Sequence, residues 1–183
     1  AKQDRSGNRL GNFIDKSMEQ LNRIVSEMQI KNEELKNFIK PNEVKKEFFL
    51  DEIVMEALEM LEDTFMNHNI KIDYNFSKSI NLYGFPNEIN QVIFSILQNA
   101  KEALVEKNID SKKVFISIKK DKDFAYINIV DNAGGVPSAL LGNIFEPYFT
   151  TKKYKKSSGL GLFLSKIIIE ENMQGKLEFE NAS

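Results

Sequence analysis

Cysteine is absent from this chain of 183 residues. Its absence excludes disulfides, thiolate metal centres and cysteine nucleophiles, and is compatible with a reducing compartment. Histidine occurs once, as His68. Charge of one sign is also lacking: 25 Lys and Arg face 27 Asp and Glu, a net of −2. Such a balance gives no electrostatic footprint for nucleic acid or an anionic membrane. Uninterrupted apolar runs reach only a few residues, too short to span a bilayer. No signal-peptide pattern opens the chain. The expectation is a soluble, cytoplasmic segment with no nucleic-acid partner and no membrane contact of its own. A membrane segment upstream in a longer parent protein is a separate matter.

What is present suits one domain with a short extension. Residues 1–9 are polar and read as a frayed start. From Leu10 a long helical pattern begins. Ile14, Met18, Leu21, Val25, Met28, Asn32, Leu35 and Ile39 alternate steps of four and three. That heptad spacing lets two helices share a stripe, and a polar residue such as Asn32 in the seam fixes register. An amphipathic helix lying on its own domain is the alternative. At ~1.5 Å per residue the stripe would reach roughly 45 Å, more than one small domain covers, so a homodimer through this arm is expected. Pro41 ends the helix. Residues 1–42 are thus read as a helical dimerisation arm and 43–183 as a second domain.

In that second domain helices and strands alternate. Phe48–Leu50 reads as a short strand, and Asp51 as the N-cap of a helix reaching about Asn67. Ile53, Ala57, Leu58, Leu61 and Phe65 form its buried face. Ile70–Phe76 alternates apolar and polar, the pattern of a half-buried strand. Asn81–Tyr83 adds a short one. A helix is predicted over about Pro86–Lys107, with proline suited to the first turn. Val114–Ile118 and Phe124–Val130 are strands joined by a tight polar turn. A glycine-containing loop region comes next, then a helix over about Gly161–Asn172 and a strand at Lys176–Phe179. This order predicts an α/β fold, a two-layer sandwich with a mixed sheet.

Four segments carry chemistry. On the helix with NEINQVIFSILQNAKEAL (87–104), Ser95, Asn99, Glu102 and Glu106 form a polar strip beside an apolar face. Asn99 stands at the border, where an amide oxygen suits Mg²⁺; taken alone, this helix reads more readily as an ordinary solvated side. DNAGGVP (131–137) lies directly after a strand. Its glycines allow a sharp turn and close backbone approach to a flat ligand, and its Asp can accept a hydrogen bond from an exocyclic amine. A plain turn is the bland alternative. SSGLGLFLSK (157–166) puts two glycines at a helix start, where backbone N–H groups favour phosphate. It lacks both the dinucleotide fingerprint and the P-loop ending. IFEPYFTTKKYKK (144–156) packs four lysines into its last five residues, either a solvated charge run or a cationic lid over a triphosphate.

In their order and spacing these segments resemble the histidine kinase catalytic domain, a branch of the ATPase superfamily shared with type II topoisomerases, MutL and certain chaperones. QVIFSILQNAKEAL resembles the asparagine box, DNAGGVP the first glycine box, IFEPYFTTK the phenylalanine box and SSGLGLFLSKIIIEENMQG the second glycine box. The likeness covers about residues 48–180. The arm ending in LKNFIKP is similar to the second helix of the family's dimerisation and phosphoacceptor hairpin. The resemblance implies that Asn99 binds a Mg²⁺ bridging the ATP phosphates and that Asp131 bonds the adenine amine. Gly135 would shape the adenine pocket, and Phe145 would anchor a lid containing Thr150, Thr151 and Lys152. Gly159, Leu160 and Gly161 would cradle phosphate. It also implies transfer of the γ-phosphoryl group to a histidine, then to an aspartate on a response-regulator receiver domain.

The departures from the family are specific. Where the kinases carry a second Asn and the hydrolysing relatives a Glu base, this chain has Ser95. A hydroxyl can bind water near a metal but is a poor general base, which argues against an efficient ATPase. Glu102 stands where many kinases place a cation, so the lid lysines would supply it. Ala133 replaces a common glycine. His68 matches no phosphoacceptor motif and reads as a surface histidine. The acceptor histidine is therefore expected on a helix upstream in the parent protein. The family's last strand is expected just after Ser183, and without it one sheet edge would be left unpaired. An ATP-binding pseudokinase, phosphatase or scaffold without transfer is the second reading. A superfamily ATPase or a serine kinase of the anti-sigma type is the third, opposed by the heptad arm and by IFEPYFTTK.

Overall fold

The computed structural model describes residues 44–76, 78–151 and 158–181, together with Met18. The chain divides into two units, Ala1–Lys40 and Pro41–Ser183. Apart from Met18, which is helical and exposed, the heptad arm lies outside the described residues. All the described strands and helices with assigned bounds belong to the second unit.

Strand β1 is Lys46–Phe49 and pairs antiparallel with β3, Asn81–Gly84, placing Phe48 opposite Leu82. The three-stranded sheet runs β2 (Ile70–Phe76), β4 (Lys112–Lys120), β5 (Ala125–Asp131). β2 and β4 are parallel, whereas β4 and β5 form an antiparallel hairpin. The sheet is therefore mixed. A parallel pair needs a crossover, and helix α3, Pro86–Glu106, provides it. Helices α1 (Leu50–Glu59) and α2 (Glu62–Asn67) precede β2. α3 lies against β4 and β5, α2 against β2, and α1 on α3.

The layers meet in one apolar core. Leu97 and Leu104 from α3 pack into a cluster with Val54 and Ala57 from α1 and with Val114, Ile116 and Ile118 from β4. Each of these is fully buried. Burial of that kind contributes about 1.5–3 kcal/mol per large aliphatic side chain, so this cluster fixes where α3 lies. Two polar ties set its height. Asn90 Nδ2 donates to Glu56 Oε2 at 3.3 Å, and Asn172 Nδ2 donates to the buried Glu88 at 2.9 Å.

Several local expectations are corrected. β1 ends at Phe49, and Leu50 already belongs to α1. Phe49, not Asp51, takes the N-cap position. Asp51 instead accepts hydrogen bonds from Ser79 Oγ at 2.8 Å and Ile80 N at 3.3 Å, tying the start of α1 to the chain entering β3. The helix predicted to Asn67 breaks at Met60–Leu61, where Leu61 N bonds Leu58 O at 3.0 Å. That tighter step keeps both Leu61 and Phe65 buried. Lys176–Phe179 forms no ladder. A strand exists only against a neighbour, and here Leu177 N–H points at the Glu170 carboxylate, 3.5 Å away.

The last helix is α-helical over Gly161–Ile167 (α4), then widens to a π-helical turn over Ile168–Asn172. Met173 N bonds Ile168 O at 3.1 Å, which closes that turn. Such turns are energetically poorer than α-helix and are often found at functional sites.

Candidate nucleotide site

Helix α3 carries the polar strip. Ser95, Asn99 and Glu102 are half-buried, whereas Glu106 is exposed. The strip therefore runs from covered surface to solvent along a helix that touches both β5 and α4. This geometry distinguishes Asn99 from a residue on a fully solvated side.

β5 ends at Asp131, opposite Val114 of β4. Its Oδ1 accepts the Ala133 N–H at 2.8 Å, an Asx turn that starts the first glycine segment. Ala133 is buried in the core, so the residue in place of the common glycine has a packing role. Gly134 and Gly135 come next, with φ of +82° and +71°. Two consecutive left-handed residues are readily adopted only by glycine. The turn is held from both sides. Lys107 Nζ donates to Gly135 O at 3.0 Å. Asn181 Nδ2 donates to Val136 O, and Val136 N donates back to Asn181 Oδ1, each at 2.9 Å. A β-carbon at Gly135 would overlap the Asn181 amide.

The second glycine segment meets the phenylalanine segment and α3. Gly159, at φ +66°, approaches the Tyr148–Phe149 backbone so closely that a β-carbon would lie 2.7 Å from Phe149 O. Tyr148 is itself left-handed at φ +65°, an uncommon state for a bulky residue. Leu160 is half-buried and accepts the Leu164 N–H at 2.9 Å in the first turn of α4. At Gly161 a β-carbon would lie 2.7 Å from Ser95 Oγ. Ser165 Oγ donates back to Gly161 O at 2.9 Å. Phe145 is half-buried, with Lys166 Nζ 4.7 Å above its ring centroid. That cation–π contact joins the phenylalanine segment to α4. Thr150 and Thr151 are exposed beyond it. Lys152 and the other lid lysines lie outside the described residues.

These positions form two groups joined by α3: Asp131, Gly134 and Gly135 at one end, and Ser95, Gly159 and Gly161 at the other. Lys107, Asn181, Lys166 and Tyr148 belong to this arrangement, although the sequence pattern did not single them out. Tyr148 and Lys166 lie within the quoted segments without being named there, and nothing in the local pattern of Lys107 or Asn181 distinguishes them from other surface residues. His68 is exposed at the end of α2, in keeping with a surface histidine.

A family model described as histidine kinase-, DNA gyrase B- and HSP90-like ATPase matches residues 84–183. The chain belongs to this family. The match includes all four segments of the site. Sporulation kinase A of Bacillus subtilis is 31% identical over 160 residues, covering 86% of this chain and 25% of the relative. Sensor protein kinase PilS of Pseudomonas aeruginosa is 34% identical over 98 residues, 52% of this chain and 18% of the relative. The chain thus spans about a quarter or less of these relatives' length. Among solved structures, the catalytic domain of histidine kinase ThkA superposes with a TM-score of 0.63 at 25% identity, over 71% of this chain and 82% of that one. ThkA in complex with the response regulator TrrA gives 0.63 at 24% identity, over 87% and 47%. The described unit is an ATP-binding catalytic domain of the sensor histidine kinase type, an α/β fold with a mixed sheet. No helix among the described residues is long and apolar enough to cross a membrane.

Proposed function

We propose that this chain binds Mg-ATP and passes the γ-phosphoryl group to a histidine on a partner helix, as the ATP-binding part of a two-component sensor kinase. The observation that carries this reading is the direct approach of Gly161 to Ser95. It sets the second glycine segment, whose helix start can offer N–H groups to phosphate, against the helix that carries Asn99.

Asp131 would accept the adenine amine through Oδ2, because Oδ1 already holds the Ala133 N–H. Gly135 would present backbone to the base. Gly159, Leu160 and Gly161 would lie along the phosphates. Phe145 would anchor the lid through Lys166, with Thr150, Thr151 and Lys152 within it. Among the described residues no three His, Cys, Asp or Glu gather into a metal cage. A cation here would therefore be held by Asn99 and by the phosphates themselves, which suits Mg²⁺ and its preference for few protein ligands. The bound cation would neutralise charge developing on the phosphates. In the transfer, a bond forms between the γ-phosphorus and an imidazole nitrogen. The bond to the β,γ-bridging oxygen breaks, ADP leaves, and the imidazole gives up its proton to solvent.

The remaining assignments rest on the sequence pattern and the relatives. The arm over residues 1–42 would form the homodimer, and the domain over 43–183 would serve a response-regulator receiver domain in the cytoplasm. This segment would contact neither nucleic acid nor membrane. Saturable, Mg²⁺-dependent calorimetric binding of a non-hydrolysable ATP analogue tests the nucleotide site. Transfer is tested by mixing the chain with a longer partner carrying the histidine helix. Acid-labile phosphate on that partner is the expected product; none with a competent partner would refute the kinase reading.

A second reading, a nucleotide-binding module without transfer, is favoured by Ser95 and Glu102. Ordinary ATP affinity with no transfer in any pairing would select it.

A further inference from the structure

The first glycine turn is gripped by two side chains distant in sequence. Lys107, at the end of α3, reaches the carbonyl of Gly135 at 3.0 Å. Asn181, 45 residues beyond Val136, makes a closed pair of hydrogen bonds with that residue's N–H and C=O. The Asn181 amide thus acts as a one-residue strand neighbour, satisfying backbone groups that the sheet does not reach. It also fills the space a side chain at position 135 would need. Gly134 and Gly135 are flexible by composition, and two left-handed residues in a row lose much conformational freedom when fixed. Asp131 fixes only the start of the turn, through Ala133.

We infer that Lys107 and Asn181 are positioning residues for base recognition. Together they hold the Gly134–Val136 backbone at the height where a purine, hydrogen-bonded to Asp131, lies against it. The inference rests on the proposed nucleotide site and adds to it a determinant of base selectivity outside the four family segments. Both side chains are exposed, so their grip costs little desolvation, and removing either opens no cavity. Surface changes of this kind ordinarily move global stability little.

The test is calorimetric titration of the full chain with ATP and with inosine triphosphate, whose base bears a carbonyl in place of the amine. The unsubstituted chain should prefer ATP by about tenfold, the scale of one well-placed hydrogen bond. Asn181→Ala and Lys107→Ala should each weaken ATP several-fold while leaving inosine triphosphate nearly unchanged, so that the preference shrinks. Lys107→Arg should restore it, and the melting temperature should stay constant throughout. An undiminished preference in both alanine variants overturns the inference. So does parallel loss of both nucleotides with a falling melting temperature, which marks a general packing role. If the unsubstituted chain binds neither nucleotide, the proposed site itself fails and the inference falls with it.

Discussion

Gly161 and Ser95 stand so close that a β-carbon on the glycine would lie 2.7 Å from the serine Oγ. Real β-carbons do not sit that close, so a side chain at position 161 would force the Ser95 hydroxyl to turn away. Gly161→Ala should destabilise the domain by no more than about 1 kcal/mol, the low end of overpacking costs, because rotation of the serine hydroxyl relieves the contact. Removing the hydroxyl relieves the contact, so Ser95→Ala combined with Gly161→Ala should recover most of the loss. A double-mutant cycle in urea measures the coupling; strictly additive effects would show that the contact is not formed in solution.

Asp131 sits at a strand end with one carboxylate oxygen already bonded. Asp131→Asn keeps the shape and replaces an acceptor by a donor. ATP affinity should fall by about 1–3 kcal/mol, the cost of leaving a buried partner unsatisfied. Titration calorimetry reads this directly, and unchanged affinity would remove Asp131 from the base pocket.

Gly159 is constrained twice, by its positive φ and by the Tyr148–Phe149 backbone against it. The left-handed conformation alone costs a β-carbon-bearing residue about 1–2 kcal/mol, and backbone atoms cannot swing aside as a side-chain tip does. Gly159→Ala should therefore lower both the melting temperature and nucleotide affinity. Loss of one without the other would separate the phenylalanine-segment contact from the phosphate site.

The β4–β5 turn should be acid-sensitive. Tyr126 O–H donates to Asp121 Oδ2, and the Phe124 and Asp123 N–H groups donate to Oδ1 at 2.8 and 2.9 Å. The tyrosine hydroxyl first, then these backbone donors, hold the Asp121 carboxyl below its ordinary 3.8. A carboxylate with a lowered folded-state pKa adds stability above its unfolded value and loses it as pH falls through the folded one. The protection factor of the Phe124 amide, its exchange relative to an unfolded chain at the same pH, should thus fall below about pH 4 in the native chain. In Asp121→Asn the protection should already be lower near neutral pH, with no acid step.

Apart from Met18, the heptad arm lies outside the described residues, and its prediction rests on spacing. Asn32→Leu replaces the one polar seam residue and should tighten self-association or change its order. Analytical ultracentrifugation decides. A chain that is monomeric before and after the change would make the stripe a self-packing face.

Much of this protein was legible in its residues because local rules and global fold agree there. The alternation of Ile70–Phe76 and the apolar face of Pro86–Glu106 are periodicities set by how strands and helices bury one side, and both elements stand where those patterns put them. The glycines at 134 and 135 read as a sharp turn, and both are left-handed. Asp51 misled because a capping residue next to an apolar run looks the same whether it bonds its own helix or a neighbour. The missing ladder at Lys176–Phe179 shows the same limit, since a strand is a property of two segments. Tertiary structure alone decided that Gly161 meets Ser95, that Lys166 covers Phe145, and that Lys107 and Asn181 close on one turn. These contacts join residues far apart in the chain, and sequence periodicity reports only which face a residue shares with its near neighbours.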